Sequence, residues 1–150
     1  MDVLLTDILS HYFCADKQRR MFFFTEVAAV MSFRSKTSLL EKILKQEFPE
    51  LVTKYPRLRD RLDSLREFRN VLAHNHLDTS DQSLAKRRPD EVVFVKYKLG
   101  KISQVRINAT DAGRRAKEAN QLRRELLELQ RRFFRSNESS RPDKKEATNG

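Results

Sequence analysis

Leu65-Arg66-Glu67-Phe68-Arg69-Asn70-Val71-Leu72-Ala73-His74-Asn75-His76-Leu77-Asp78 is the stretch on which the fold turns. It continues an apolar stripe that begins upstream. Leu58, Leu62, Leu65, Leu72 and His76 follow spacings of 4, 3, 7 and 4, the repeat of one helical face. Pro56 suits the first turn of that helix, where its missing N–H costs nothing, and the helix is expected to run to about His76. Beyond it the period changes. Glu91-Val92-Val93-Phe94-Val95-Lys96-Tyr97-Lys98 and Ile102-Ser103-Gln104-Val105-Arg106-Ile107 are β-branched and aromatic runs. Leu99-Gly100-Lys101 between them supplies the glycine of a turn, so a hairpin is expected at about 91–107.

Outward from this core the sequence reads as helix on both sides. Val3, Leu4, Ile8, Tyr12 and Phe13 lie at helical spacing. Asp16 can cap a second helix running from Lys17 through Met21, Phe22, Phe23, Phe24, Val27, Ala28 and Val30. That segment is apolar almost all round, which predicts the central, most buried helix. Ser35 or Thr37 can cap a third, with Leu39, Leu40, Ile43, Leu44 and Phe48 facing inward and Pro49 ending it. Asn108 or Thr110 can cap a last helix of about 25 residues, with Leu122, Leu126, Leu129 and Phe133 as its stripe. The expected fold is mainly α: a bundle of about five helices, residues 1–135, with one β-hairpin inserted before the last. Residues 136–150 hold Ala147 as their one apolar side chain and read as a disordered polar tail.

Composition narrows the function. Three Gly and four Pro in 150 residues leave no room for a many-stranded barrel or a glycine-cradled nucleotide site. No run of 18 apolar residues occurs, so no membrane partner is expected. Met1-Asp2-Val3-Leu4-Leu5 lacks the basic residues of a secretory signal. One cysteine, Cys14, cannot form an internal disulfide, and the chain reads as reduced and cytoplasmic. The formal net charge is +10 and is unevenly placed. Residues 86–135 carry 15 basic and 6 acidic side chains, against 13 and 12 in residues 1–85. A surplus confined to one segment favours a polyanionic partner.

Two residue types in the opening stretch carry chemistry. Arg69 occupies the position that completes the apolar stripe between Leu65 and Leu72. A buried guanidinium there needs an anion or acceptors, or must snorkel past the bundle edge to a carboxylate such as Asp63 or Glu67 of a neighbouring helix or chain. His74 and His76 can transfer protons near neutrality, or one can cap the helix C-terminus. Cys14 and the scattered carboxylates complete no metal-ligand spacing, so neither metal nor cofactor is expected. Asn70 and His74, four apart, share a helical face.

Arg69-Asn70-Val71-Leu72-Ala73-His74 matches the R-N-x-x-x-H signature of the HEPN superfamily, and the chain resembles that superfamily over roughly residues 1–135. The order of elements also resembles it: a Phe-rich helix, the 32–44 helix, the motif helix, a hairpin and a last helix. The resemblance implies a homodimer with the motif helices facing one another, and a metal-independent endoribonuclease of a toxin or antiphage defence system. It assigns His74 as acid–base group, Arg69 as the cation on the attacked phosphate and Asn70 as the residue that orients one of them. Some members carry a tyrosine two positions after the histidine, where a partner enzyme attaches nucleotides; His76 stands there. A restraining antitoxin or regulatory partner protein is part of the same expectation, and no residue of this chain identifies it.

The basic segment would then hold RNA. Arg87, Arg88, Lys96, Lys98, Lys101 and Arg106 lie on or beside the hairpin. Arg114, Arg115, Lys117, Arg123 and Arg124 lie on the last helix, where Glu118, Glu125 and Glu128 can balance them. Phe94 and Tyr97 offer stacking faces or pack on the bundle. Two rival functions stand beside the ribonuclease. One is a non-catalytic HEPN module binding RNA, nucleotide or a partner protein. The other is a helical DNA-binding regulator, against which no helix-turn-helix with a small-residue turn is visible.

Overall fold

Asp16 does what its position predicts: its carboxylate accepts from the backbone N–H of Gln18 and Arg19, each at 2.9 Å, and starts a helix. That helix belongs to a computed structural model that describes residues 1–98 and 100–139. Among these residues the chain is mainly helical, with a small antiparallel sheet. The helices are α1 (Asp2–Phe13), α2 (Lys17–Phe22), α3 (Phe33–Glu47), α4 (Pro49–Lys54), α5 (Leu58–His74), α6 (Asp81–Lys86) and α7 (Ala109–Ser139). The strands are β1 (His76–Leu77), β2 (Glu91–Lys98) and β3 (Lys101–Asn108), in spatial order β1-β2-β3. Leu99 of the expected turn and residues 140–150 of the expected tail lie outside the described residues.

The chain forms two compact units. The first is Met1–Tyr55 together with the chain from Arg123 onward; the second is Pro56–Leu122. Leu5, Ile8 and Leu9 of α1, Leu40, Ile43 and Leu44 of α3, Leu51 of α4, and Leu126, Leu129 and Phe133 of α7 are buried in the first unit. Tyr12 and Phe48 meet Phe133 edge-on, with ring centroids 5.7 and 5.0 Å apart. Lys36 is also enclosed there, its ammonium 3.0 Å from the Asp2 carboxylate. In the second unit Leu58, Leu62 and Leu65 of α5 are buried, with Val93, Ile107 and Leu122.

Several expectations are corrected. The Phe-rich segment is not the most buried helix. α2 lasts six residues and passes into a π turn, Phe23–Val27, in which no residue is buried. Met21, Phe22, Val27 and Val30 are exposed. The π turn breaks the 3.6-residue repeat, and an all-apolar surface is buried only where neighbours exist to cover it. Helix α3 is capped by Ser32, whose hydroxyl accepts from the Ser35 N–H at 3.0 Å, and not by Ser35 or Thr37. Pro49 ends α3 and also opens α4. Pro56 lies in the turn before α5, followed by Arg57 in the left-handed region at φ 54°. The last helix exceeds its expected length, covering 31 residues and reaching Ser139. Its start is as read: the Asn108 side chain accepts from the Asp111 N–H at 2.7 Å. Two helices of six residues each, α4 and α6, and the strand β1 have no counterpart in the sequence reading.

Candidate functional site

The stripe of α5 is core over Leu58, Leu62 and Leu65 and surface beyond them. Leu72 is 46% exposed, with Ala73 and His74 exposed and Phe68, Asn70 and Val71 half-buried, so among the described residues the last turns of the helix are only partly covered. Arg69 is exposed as well, which corrects the expectation of a guanidinium in the buried stripe. In water it needs no buried carboxylate, and its Nη1 donates to Asn70 Oδ1 at 3.3 Å. Asn70 is half-buried. His74 is the last helical residue, exposed and without a hydrogen-bond partner among the described residues. Helix termination falls to Asn75, whose Nδ2 donates to the Val71 carbonyl at 2.9 Å.

His76 leaves the stripe because the helix has ended. It lies in β1 opposite Val95, exposed, with its ring centroid 6.3 Å from that of Tyr97. The α-helix stays regular through His74. At about 100° per residue, Arg69 and His74 therefore point roughly 140° apart on one chain, while Asn70 and His74 share a side.

The basic residues divide by surroundings. Arg87 and Arg88 are exposed between α6 and β2. In the hairpin, Lys96 pairs with Ser103 and Lys98 with Lys101. The two-residue period puts Lys96 and Lys101, both exposed, on one face. Arg106 lies on the other face, where its Nη1 donates to Glu91 at 3.0 Å. Tyr97 and Ile102, opposite one another on that face, are 65% and 68% exposed. Phe94 is half-buried. Asp78 links β1 to this hairpin: it accepts from the Ser80 hydroxyl and from Gln104 Nε2, at 2.7 and 2.8 Å. The Ser80 bonds hold its carboxyl below the ordinary range.

On α7, Arg115 is a clasp. Its Nη1 donates to Ser64 Oγ at 2.8 Å and to Glu118 at 3.2 Å, and the guanidinium lies 5.8 Å from the centre of the Phe68 ring. Arg114 pairs with Asp111 at 2.7 Å, and Lys117, Arg123 and Arg124 are exposed. Arg61 of α5 joins Arg114 and Arg115 around a concavity of about 620 Å³, with Pro56, Glu118 and Gln121. Arg61 is the basic residue that sequence reasoning missed. Its signal is the alternation Arg57-Leu58-Arg59-Asp60-Arg61-Leu62, dense in arginine beside buried leucines. Among the described residues no three His, Cys, Asp or Glu side chains converge, and no helix is long and apolar enough to cross a membrane. Comparison with known protein families, characterised proteins and solved structures finds no match to this chain.

Proposed function

We propose that the protein is a metal-independent endoribonuclease of a toxin or antiphage defence system, of the HEPN type, acting as a homodimer. The observation that carries the proposal is the exposure of Arg69 and His74, with half-buried Asn70 between them, on the partly covered last turns of α5. RNA brings its own nucleophile, the ribose 2′-hydroxyl, so the protein must supply only proton transfer and a cation. His74 exchanges the proton, Arg69 stabilises charge on the attacked phosphate, and Asn70 orients the Arg69 guanidinium through their hydrogen bond. One α5 carries Arg69 and His74 on different sides. A two-fold axis beside exposed Leu72 brings Arg69 of one protomer to His74 of its partner. The arginines around the 620 Å³ concavity and the hairpin lysines hold the rest of the strand.

The regularity of α5 through His74 favours one other reading, a non-catalytic module that binds RNA, nucleotide or a partner protein as a monomer. The deciding experiment incubates the purified protein with single-stranded RNA in EDTA and sediments it at micromolar concentration. The expected outcome is a dimer that leaves 2′,3′-cyclic phosphate ends. Loss of cleavage in EDTA with rescue by a divalent ion overturns the mechanism. An active monomer overturns the composite site, and RNA bound but uncut selects the second reading.

A further inference from the structure

The π turn after α2 realigns apolar side chains on the outer surface of the first unit. The Ala28 N–H reaches back five residues to the Phe23 carbonyl, at 2.7 Å. In a turn of that width residues five apart lie over one another, where a regular α-helix sets them about 140° apart. Phe22 and Val27 are such a pair, and both are exposed. Val30, 83% exposed, follows three residues on. Exposed Phe13 of α1 borders them, its ring centroid 5.4 Å from that of Phe23. Met21 and Phe24 instead line a cavity of about 440 Å³ between α1 and α2, with Asp7, buried His11, Lys17 and Arg20. Phe22, at 62% exposure, takes no part in that lining.

Phe13, Phe22, Val27 and Val30 together present roughly 400 Å² of apolar surface to water, within the range at which a patch marks an interaction site. Charged residues bracket this strip. Arg19 lies three residues before Phe22 and Glu26 four after it, the two spacings that return to one helical face. Both are exposed, and among the described residues neither side chain belongs to an ion pair. Set seven residues apart, they do not meet within one chain.

We propose that this strip is a contact between two copies of the chain, related by a two-fold axis beside Phe22. Antiparallel packing across that axis lays Phe22 and Val27 of one protomer against the same strip of its partner. It also sets Arg19 of each protomer opposite Glu26 of its partner, so each chain supplies both halves of two ion pairs. Such self-complementarity is what an isologous contact requires. Doubling the strip buries about 800 Å² of apolar surface, and with its charged rim the contact falls in the size class of weak, reversible interfaces. Glu26 within the strip opposes an anionic lipid surface or RNA. An unrelated protein gains nothing from the symmetry. No residue of α5 takes part, so this contact stands or falls apart from the ribonuclease reading and its dimer. With both contacts, association passes from a dimer to a larger assembly as concentration rises; with this one alone, it passes from monomer to dimer.

The test is sedimentation equilibrium of the full chain from low micromolar to near-millimolar concentration. The wild type should show an association step in the upper part of that range, beyond any dimer already present. Phe22→Ser, at an exposed position, should weaken the step at least about tenfold, the usual effect of removing a central aromatic side chain from an interface. Arg19→Glu and Glu26→Arg should each weaken it about fivefold, since each sets like charges opposite one another twice. The double variant Arg19→Glu/Glu26→Arg should return to within about twofold of the wild type. The two single reversals move the net charge in opposite directions, so a loss shared by both is not general repulsion. Lys42→Glu, the charge change of Arg19→Glu at an exposed position of α3, should leave the step unchanged. Leu72→Ser should remove the α5 dimer and leave this step in place, which separates failure of this contact from failure of the ribonuclease reading. No step in the wild type, an undiminished step in Phe22→Ser, a double variant no better than the single reversals, or loss of the step in Lys42→Glu each overturns the proposal.

Discussion

His74 closes α5 and His76 opens β1, so two histidines two residues apart answer to different elements. The proposed mechanism uses only the first. His74→Ala should reduce single-turnover RNA cleavage about 10²- to 10⁴-fold, the usual contribution of one acid–base group. Because His74 is exposed, the same change should leave stability within about 0.5 kcal/mol. His76→Ala should alter neither cleavage nor stability, since no core contact is lost. Single-turnover rates beside thermal melts check both; normal cutting by His74→Ala with a dead His76→Ala would move the site to the sheet. The side-chain roles were only partly legible in the sequence. The 3.6-residue repeat correctly gave the direction of Leu58, Leu62 and Leu65, and it placed Arg69 and His76 on the same line. It carries no information on where a covering element stops, and that is why a residue expected in the core is solvated.

At the scale of elements, α5 and α7 are joined by Arg115, whose bonds to Ser64 and Glu118 make it part of the scaffold. Arg61, Arg114 and Lys117 are the better probes of RNA contact. Replacing all three by Gln should weaken binding of single-stranded RNA. It should also flatten the dependence of log affinity on log salt by about 2, at roughly 0.7 for each lost phosphate contact. Fluorescence anisotropy over a salt series measures the slope, and an unchanged slope makes these side chains an ordinary solvated surface. Long elements were legible from the sequence because several turns repeat one pattern: α1, α3, α5, α7 and the β2–β3 hairpin each have a counterpart in the periodicity, while the cap of α3, the start of α5 and the length of α7 differ from it. Two six-residue helices and a two-residue strand are too short to display a period. Their causes are local: Pro49 at a helix start, and the Ser80 hydroxyl accepting from the Ser83 N–H at 3.3 Å. The α2 segment failed for another reason, since apolar composition states a demand for cover and not its supply.

For the whole molecule, the enclosed His11 ties stability to pH. In the unfolded chain its imidazole titrates near 6.5; in the folded chain burial and Arg20 hold it lower. Between the two values the unfolded state binds a proton that the folded state does not. Stability therefore rises with pH across this window, is fully present above about pH 6.5, and is lost as pH falls toward the depressed value. Urea melts from pH 7.5 down to 5.5 should show the decline, and His11→Gln should flatten it. A wild-type profile level over that range would contradict the enclosure of His11. Charge at this scale was visible in the sequence, since the excess of residues 86–135 needs only counting. The cavity around His11 was not, because it brings together positions 7, 11, 17, 20 and 134, which no motif links.

The order in which the two units occur along the chain has a consequence for vectorial synthesis. The second unit is one continuous segment inserted into the first. During translation its residues all emerge before Leu126, Leu129 and Phe133, which the first unit needs to close its core. The earliest helices thus wait for the far end of α7, with Tyr12 and Phe48 still lacking the Phe133 ring that they meet in the finished fold. Over that interval the nascent chain displays apolar surface that the finished protein hides, and it is then most open to chaperone capture or misassociation.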